Sequence, residues 1–146
     1  MAKNTIKLKD YLKIVEEYPA ASAITPGMLV EITSAEKVEP HGTEDGKVAP
    51  VMFATEDEFQ GKTISDEYDA DEPVQCWIPQ RGDVAYALLS GGEDASIGDF
   101  LVSNGDGTLA VQDSSGQEEV VAVALEDVDN SDSAGMPDAR IIVRIV

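Results

Sequence analysis

The sequence has little of the chemistry on which most catalytic centres depend. Its 146 residues include one histidine and one cysteine, and aromatic residues make up only 5% of the chain. A single cysteine excludes a disulfide framework within the chain, and a single histidine excludes a histidine-rich metal centre. Because aromatic residues are scarce, a hydrophobic core must come from Val, Ile, Leu and Ala. Such a core suits a thin barrel or sandwich.

Long apolar runs are also missing. No stretch approaches the roughly 18 consecutive apolar residues that a membrane-spanning helix needs. The first fifteen residues are rich in lysine and contain no apolar run of the kind found in a secretory leader. We therefore expect a chain that is made in the cytoplasm and has no membrane partner.

Positive charge is scarce and unevenly placed. Ten Lys and Arg face 29 Asp and Glu, which gives a net charge of −19. Residues 1–13 hold four lysines against one aspartate, so that the charge of the remaining chain is −22. A body this acidic repels nucleic acid, and we expect no nucleic-acid partner. The pattern indicates a basic N-terminal arm, residues 1–19, on an acidic β-rich body, residues 20–146.

Short apolar segments between turn residues indicate an all-β fold. Phe100–Val102 and Thr108–Val111 flank Asn104–Gly107, and Asn-Gly or Asp-Gly between apolar runs is a strong hairpin signal. Further strands are predicted at Met28–Ile32, Pro50–Ala54, Val74–Ile78, Val84–Leu89, Val120–Leu125 and Ala139–Val146. Twelve glycines and seven prolines also favour many short strands. We predict one compact all-β domain, a small barrel with an extended N-terminal arm and few short helical turns.

The arm divides into two patterns. Residues 4–9 alternate between polar and apolar side chains, which predicts a short extended segment. From Asp10 the spacing changes, and a helical turn or two ending at Pro19 would place Tyr11, Ile14, Val15 and Tyr18 on one face. The extended segment is either an edge of its own sheet or an arm that adds to a sheet of another molecule. We predict the second, with the binding residues Thr5, Ile6, Lys7, Leu8, Lys9 and Tyr11.

The candidate chemical sites are few, and none predicts an enzyme. His41, beside Gly42, is expected to be an exposed loop residue, and Cys76 a small buried core residue. Three aspartates resemble the start of a calcium loop, but Gly is missing from its sixth position and no helices flank it. We therefore predict no metal site and no cofactor, and name as the best metal candidates Asp127, Asp129 and Asp132.

The most acidic stretch, residues 55–72, shows no firm apolar period. We predict a long surface excursion that is held to the body by Phe59, Ile64 and Tyr68.

Three segments carry a resemblance to a known family: GDFLVSNGDGTL within Ile97–Leu109, VVAVALEDVD, of which Val120–Asp127 is the most specific part, and RIIVRIV at Arg140–Val146. Together with the basic arm that precedes them, they resemble the head decoration, or cement, proteins of tailed bacteriophages. The resemblance implies a compact β-barrel or β-tulip-like body that forms a trimer. It also implies a position on the outside of the mature capsid at threefold or quasi-threefold sites, where the arm joins sheets of the major capsid protein.

Two functions from different classes follow. The first is a structural virion protein that stabilises the expanded head and has as partners the major capsid protein and its own homotrimer. The alternative is a small β-barrel module that binds a ligand or a host surface, with or without the help of calcium.

Overall fold

The computed structural model describes residues 2–43, 48, 50–133 and 139–146. Within them the strands are β1 Lys7–Lys9, β2 Val15–Pro19, β3 Val30–Ile32, β4 Val38–Pro40, β5 Phe53–Thr55, β6 Pro73–Trp77, β7 Val84–Leu89, β8 Asp94–Ala95, β9 Phe100–Ser103, β10 Leu109–Val111, β11 Ala122–Ala124, β12 Val128–Asp129 and β13 Ala139–Ile145. The helical segments among these residues are two 3-10 turns, Glu58–Gln60 and Ser131–Ser133. This part of the chain has no helix that is long and apolar enough to span a membrane.

Five strands close into a barrel in the order β7, β10, β9, β11 and β13, and pairing between β13 and β7 completes it. That last seam joins Ala139–Arg144 to Val84–Leu89 residue by residue in antiparallel register. All of β7 is buried. Because its edges are paired and its faces covered, its sequence VAYALL is apolar almost throughout. The prediction of an all-β domain built on a small barrel, with few short helical turns, is confirmed.

The predicted central hairpin is formed by β9 and β10. Leu109 lies opposite Ser103, and Val111 lies opposite Leu101. The connecting turn needs positive φ at Gly105 (84°) and Gly107 (86°), a conformation that glycine adopts without steric cost.

Two hydrophobic clusters form the core. The larger is built mainly from the barrel strands and includes Trp77, Leu89, Leu101, Leu109 and Ile141. The smaller involves the β2–β6–β5 sheet and the β3–β4 hairpin, and it includes Ile24, Val30, Met52, Val74 and Cys76. The prediction that Cys76 is a buried core residue is confirmed, since the residue is fully buried.

The helical prediction after Asp10 is wrong. Residues 15–19 are strand β2, which pairs with β6 from Val15 opposite Trp77 to Pro19 opposite Pro73. A helical spacing of apolar residues over so few positions is a weak local preference, and pairing with a neighbouring strand overrides it.

Arg140, in β13, fastens the acidic stretch to the barrel. Its Nη1 donates a hydrogen bond to the Pro26 carbonyl at 2.6 Å, and its Nη2 donates one to the Ile64 carbonyl at 2.8 Å. Tyr68 is buried and forms a β-bridge with Ile24. The prediction that Phe59 is an anchor is wrong, because its side chain is 91% exposed in a 3-10 turn that buries none of its residues.

Candidate functional site

A buried carboxylate holds the beginning of the N-terminal arm. Glu56 is only 8% exposed; its Oε1 accepts a hydrogen bond from the Thr5 hydroxyl, and its Oε2 accepts one from the Ile6 backbone N–H at 3.1 Å. The side chain of Ile6 is fully buried, and its carbonyl accepts a hydrogen bond from the Tyr86 N–H at 2.9 Å. Residues 5 and 6 are therefore anchored in their own chain.

The strand that follows lies along the barrel. Lys7 is opposite Ala85 and Lys9 is opposite Val84 in antiparallel pairing, with a register irregularity between them. The sequence left two alternatives for the extended segment of the arm. In the structure, this segment forms an edge strand of the chain's own sheet. Because β1 is the terminal strand of that sheet, its outer edge has no strand neighbour among the described residues. Pairing of the arm with a strand of another protein stays a prediction, and this edge offers a place for it. The division into an arm and a body also stays a prediction.

An exposed apolar patch follows β1. Tyr11 is 76% exposed and Leu12 57% exposed, while the Tyr11 N–H donates to Asp83 Oδ1 at 3.2 Å and so fixes the backbone beneath them. Val15 and Phe59 line one groove. Exposed side chains of this size that lie close together mark interaction surfaces. We call Val15 and Phe59, which share this groove, the apolar patch; Tyr11, Leu12 and Ile14 are exposed apolar residues next to Val15 in the sequence.

Unpaired lysines flank the apolar patch. Lys7 and Lys13 line the same groove as Phe59. Within the part of the chain that the structure describes, no ion pair involves Lys3, Lys7, Lys9 or Lys13. The positive charge of the arm is therefore available to an acidic partner. Of the predicted binding residues, Lys9 and Tyr11 are exposed, Lys7 and Leu8 are half-buried in β1, and Ile6 is buried.

His41 is not the exposed loop residue that the sequence predicts. It is 2% exposed, its Nδ1 lies 2.6 Å from the Ser103 hydroxyl, and its Nε2 lies 3.5 Å from Glu31 Oε2. These are the residue types of a nucleophile, a base and an acid. A nucleophile must reach its substrate, however, and Ser103 is only 1% exposed. The arrangement joins the end of β9 to the β3–β4 hairpin.

The other candidate groups have structural partners. Burial raises the pKa of the Cys76 thiol to about 12, so it is not a thiolate at neutral pH. Asp127 Oδ1 accepts a hydrogen bond from the Ile97 N–H at 2.8 Å, and Asp129 Oδ1 accepts from the N–H and hydroxyl of Ser131. These hydrogen bonds from Ser131 lower the pKa of Asp129. Asp132 is exposed. In the described ranges no three metal-binding side chains converge.

The acidic stretch contributes a further feature that the sequence did not predict. A cavity of about 280 Å³ lies between the 3-10 turn Glu58–Gln60 and the start of β6. It is lined by side chains of one dominant charge, Asp57, Asp66, Glu67 and Glu72, together with Lys62 and Tyr68. Burial raises the pKa of Tyr68, and the nearby charges of Asp57 and Glu56 raise it further.

The fold has a counterpart among solved structures. The chain is similar to the crystal structure of the N base of the head fiber gp8.5 of bacteriophage phi29, with a TM-score of 0.61 and 14% sequence identity. The match covers 92% of this chain and 95% of that chain. At this level of identity the likeness shows a shared fold. No family model matches the sequence, and no curated protein matches it. Membership of the decoration family therefore stays a prediction.

Sequence reasoning missed three of these features. The burial of His41 depends on Ser103, which is 62 residues away in the chain. The docking of Thr5 depends on Glu56, at a separation of 51. The exposure of Phe59 is the third. For Glu56, the only signal in the sequence was an acidic residue next to an apolar strand. The other acidic residues around Glu56 in the sequence look the same.

Proposed function

We propose that this chain is a structural virion protein that binds the outside of the mature capsid of a tailed phage and stabilises the expanded head. It acts as a homotrimer at threefold or quasi-threefold positions, with the major capsid protein as its partner. The observation that carries the proposal is the fold shared with a phage head-fiber base over nearly the whole of both chains. The segment resemblance to decoration proteins supports the same proposal.

The distribution of charge supports this role. A charge of −22 over residues 14–146 keeps many neighbouring copies soluble and mutually repelling. The lysines of the arm have no ion-pair partner among the described residues, and they suit an acidic patch on a capsid surface.

The attachment follows from the geometry of the arm. Glu56 and β7 hold residues 5–9, and a capsid strand adds to the free edge of β1 through backbone hydrogen bonds. Tyr11 and Leu12 then supply apolar contact beside that edge. This mode leaves Ile6 buried and the two Glu56 hydrogen bonds intact, so binding does not require the fold to open.

The protein stabilises the expanded head because it binds one state of the capsid in preference to the others. A protein that binds the assembled, expanded lattice better than free subunits shifts the equilibrium toward the lattice. A trimer presents three arms together, and their joint attachment exceeds the affinity of each. No catalytic step, cofactor, nucleic acid or membrane enters this function.

The test is a binding assay with expanded heads from the phage that carries the gene, stripped of this protein. We expect Tyr11→Ser combined with Leu12→Ser to weaken binding about tenfold or more, because exposed anchor side chains dominate interface energies. The matched control is Ile97→Ser, which removes another exposed apolar side chain, 65% exposed and far from the arm in sequence. Equal binding by the double variant and the control would contradict the proposed attachment. Deleting the arm is a poorer test, because it would leave Glu56 buried without its partners.

A further inference from the structure

A groove on the outer side of the barrel gathers positive charge in a chain that has little of it. It lies between the arm and the strands β7 and β13 and has a volume of about 330 Å³. Among the described residues no acidic side chain lines it, and its formal charge is +3 in a chain whose net charge is −19. We call it the basic groove. It is lined by the basic residues Lys3, Lys9 and Arg144 and by apolar side chains that include Leu8, Val84 and Ile142.

The register of the sheet explains why these charges meet. Lys9 in β1 and Arg144 in β13 are both opposite Val84 of β7. Residues directly opposite each other project from the same face of a sheet, so the two cations stand on either side of Val84, two strand spacings or about 10 Å apart at their Cα atoms. Ala85, the next residue of β7, belongs to the barrel core. Because side chains alternate along a strand, Val84 and its two basic neighbours lie on the outer face.

The described part of the fold supplies no counter-charge to the basic groove. Its three basic residues make no ion pair within that part of the chain. Glu126, which follows the groove residue Leu125, is bound to the backbone of β13, where its Oε1 accepts a hydrogen bond from the Ile142 N–H at 2.9 Å. Like charges repel one another, so an anion bound between them gains attraction and also relieves that repulsion. The apolar floor favours an anion that is carried next to an apolar side chain.

The chain itself carries the complementary group on its most acidic stretch. Phe59 is 91% exposed, more than any other large apolar side chain among the described residues, and its 3-10 turn buries none of its residues. Glu58, the residue before it, is exposed as well. Residues 55–72 contain eight Asp and Glu against one Lys, which gives a formal charge of −7. The fold does not bury the ring of Phe59, so a partner that covers it gains its full apolar area.

The turn and the basic groove are separate surfaces of one copy. Lys7 and Lys13 line the groove of the apolar patch together with Glu56 and Glu58, so the formal charges there cancel. Lys9 lines the basic groove instead. A ring of identical subunits needs two different patches on each copy, because every contact joins one patch to the other. The turn and the basic groove form such a pair.

We propose that the basic groove binds the Glu58–Phe59 turn of a second copy. The ring of Phe59 lies on the apolar floor, and the carboxylate of Glu58 lies between Lys9 and Arg144. This inference rests on the self-association in the proposed function and names the contact that produces it. It does not depend on capsid binding.

The first experiment measures the self-association of the purified chain by sedimentation at about 150 mM salt, where distant charges are screened. We expect Glu58→Arg to weaken association about tenfold or more, because it brings a positive charge to the basic groove. In a chain that already carries Arg144→Glu, the same substitution should cause no further loss, since the new arginine then meets a glutamate. An equal loss in both backgrounds would overturn the inference. The control is Asp69→Arg, at an exposed position of the same acidic stretch, which should stay within about twofold of wild type.

The second experiment removes the aromatic ring. Phe59→Ser should weaken association about tenfold or more, whereas the control Ile97→Ser, at another exposed apolar residue, should leave it within about twofold of wild type. Under conditions where the chain is monomeric, both variants should melt within about 3 °C of wild type, because neither side chain is buried. Wild-type association of Phe59→Ser would overturn the inference. A larger fall in its melting temperature would show that Phe59 supports its own fold, and that result would overturn the inference as well.

The same measurements separate a failure of this inference from a failure of the proposed function. If the wild-type chain is a monomer at every concentration, the self-association in the proposed function fails and this inference fails with it. An associating wild type that Glu58→Arg and Phe59→Ser leave unchanged refutes this inference alone. The capsid-binding test is independent of both results, because it uses expanded heads and substitutions at Tyr11 and Leu12.

Discussion

Substitution of Ile6 by Ala tests whether the arm is part of the fold. The Ile6 side chain is fully buried, and its Cδ1 lies 3.4 Å from the point where a Cβ on Gly27 would stand. Truncation of a buried Ile to Ala costs about 2–5 kcal/mol in protein cores. We expect a value near the lower end, about 2–3 kcal/mol, because Ile6 directly precedes a short strand at the edge of a sheet, where neighbours can relax.

The assay combines thermal melting with hydrogen exchange. For a chain of this length the loss corresponds to a fall in melting temperature of about 5–10 °C. The amides of Ile6 and Tyr86, which take part in the docking hydrogen bonds, should lose protection first. The control is Leu12→Ala, since Leu12 is in the same arm but 57% exposed, and its effect should stay within about 0.5 kcal/mol. If Ile6→Ala and Leu12→Ala behave alike in both measurements, the arm is not docked as described.

Two further predictions concern the body. Gly27→Ala should lower the free energy of unfolding in urea by about 2–4 kcal/mol, because Gly27 has a φ of +98° and a Cβ there would stand 2.2 Å from Arg140 Nη1. The control is Gly98→Ala, since Gly98 has a similar φ of +94° but no atom within 4 Å of the added Cβ. It measures the backbone cost alone and should lower the free energy of unfolding by only about 1 kcal/mol. Burial raises the pKa of Cys76 from 9.0 to about 12, so its contribution to stability is fully present below pH 9 and is lost as the pH rises toward 12. Urea midpoints at pH 7 and pH 10 should therefore differ more for wild type than for Cys76→Ala. An equal difference in the two proteins would contradict that assignment.

The barrel was largely predictable from the sequence because its strands carry strong local signals. Val84–Leu89 is an unbroken apolar run, and the turn at Asn104–Gly107 requires glycine for its positive φ. These signals act within a few residues of each strand, so a single sequence contains them. The parallel contact between Leu109 and Leu89 has no such signal, because it depends on how the barrel closes.

The candidate site was less predictable because its partners are far apart in the chain. The extended segment predicted at residues 4–9 contains strand β1, Lys7–Lys9, but the docking of the arm on β7 and Glu56 depends on residues about fifty to eighty positions away. The apolar spacing after Asp10 predicted a helix, whereas pairing with β6 made a strand. Glu56 and its acidic neighbours look alike in sequence, and only the fold shows that Glu56 is buried against the arm.

The most direct test of the account is the selectivity of the chain for the expanded head. Purified protein is added to expanded heads lacking it, to unexpanded heads and to free capsid subunits, and the bound amount and the head disruption temperature are measured. We predict saturable binding to expanded heads, much weaker binding to the other two, and a higher disruption temperature for the decorated heads. Equal binding to all three, or no change in the disruption temperature at saturation, would contradict the proposal that this protein stabilises the mature capsid.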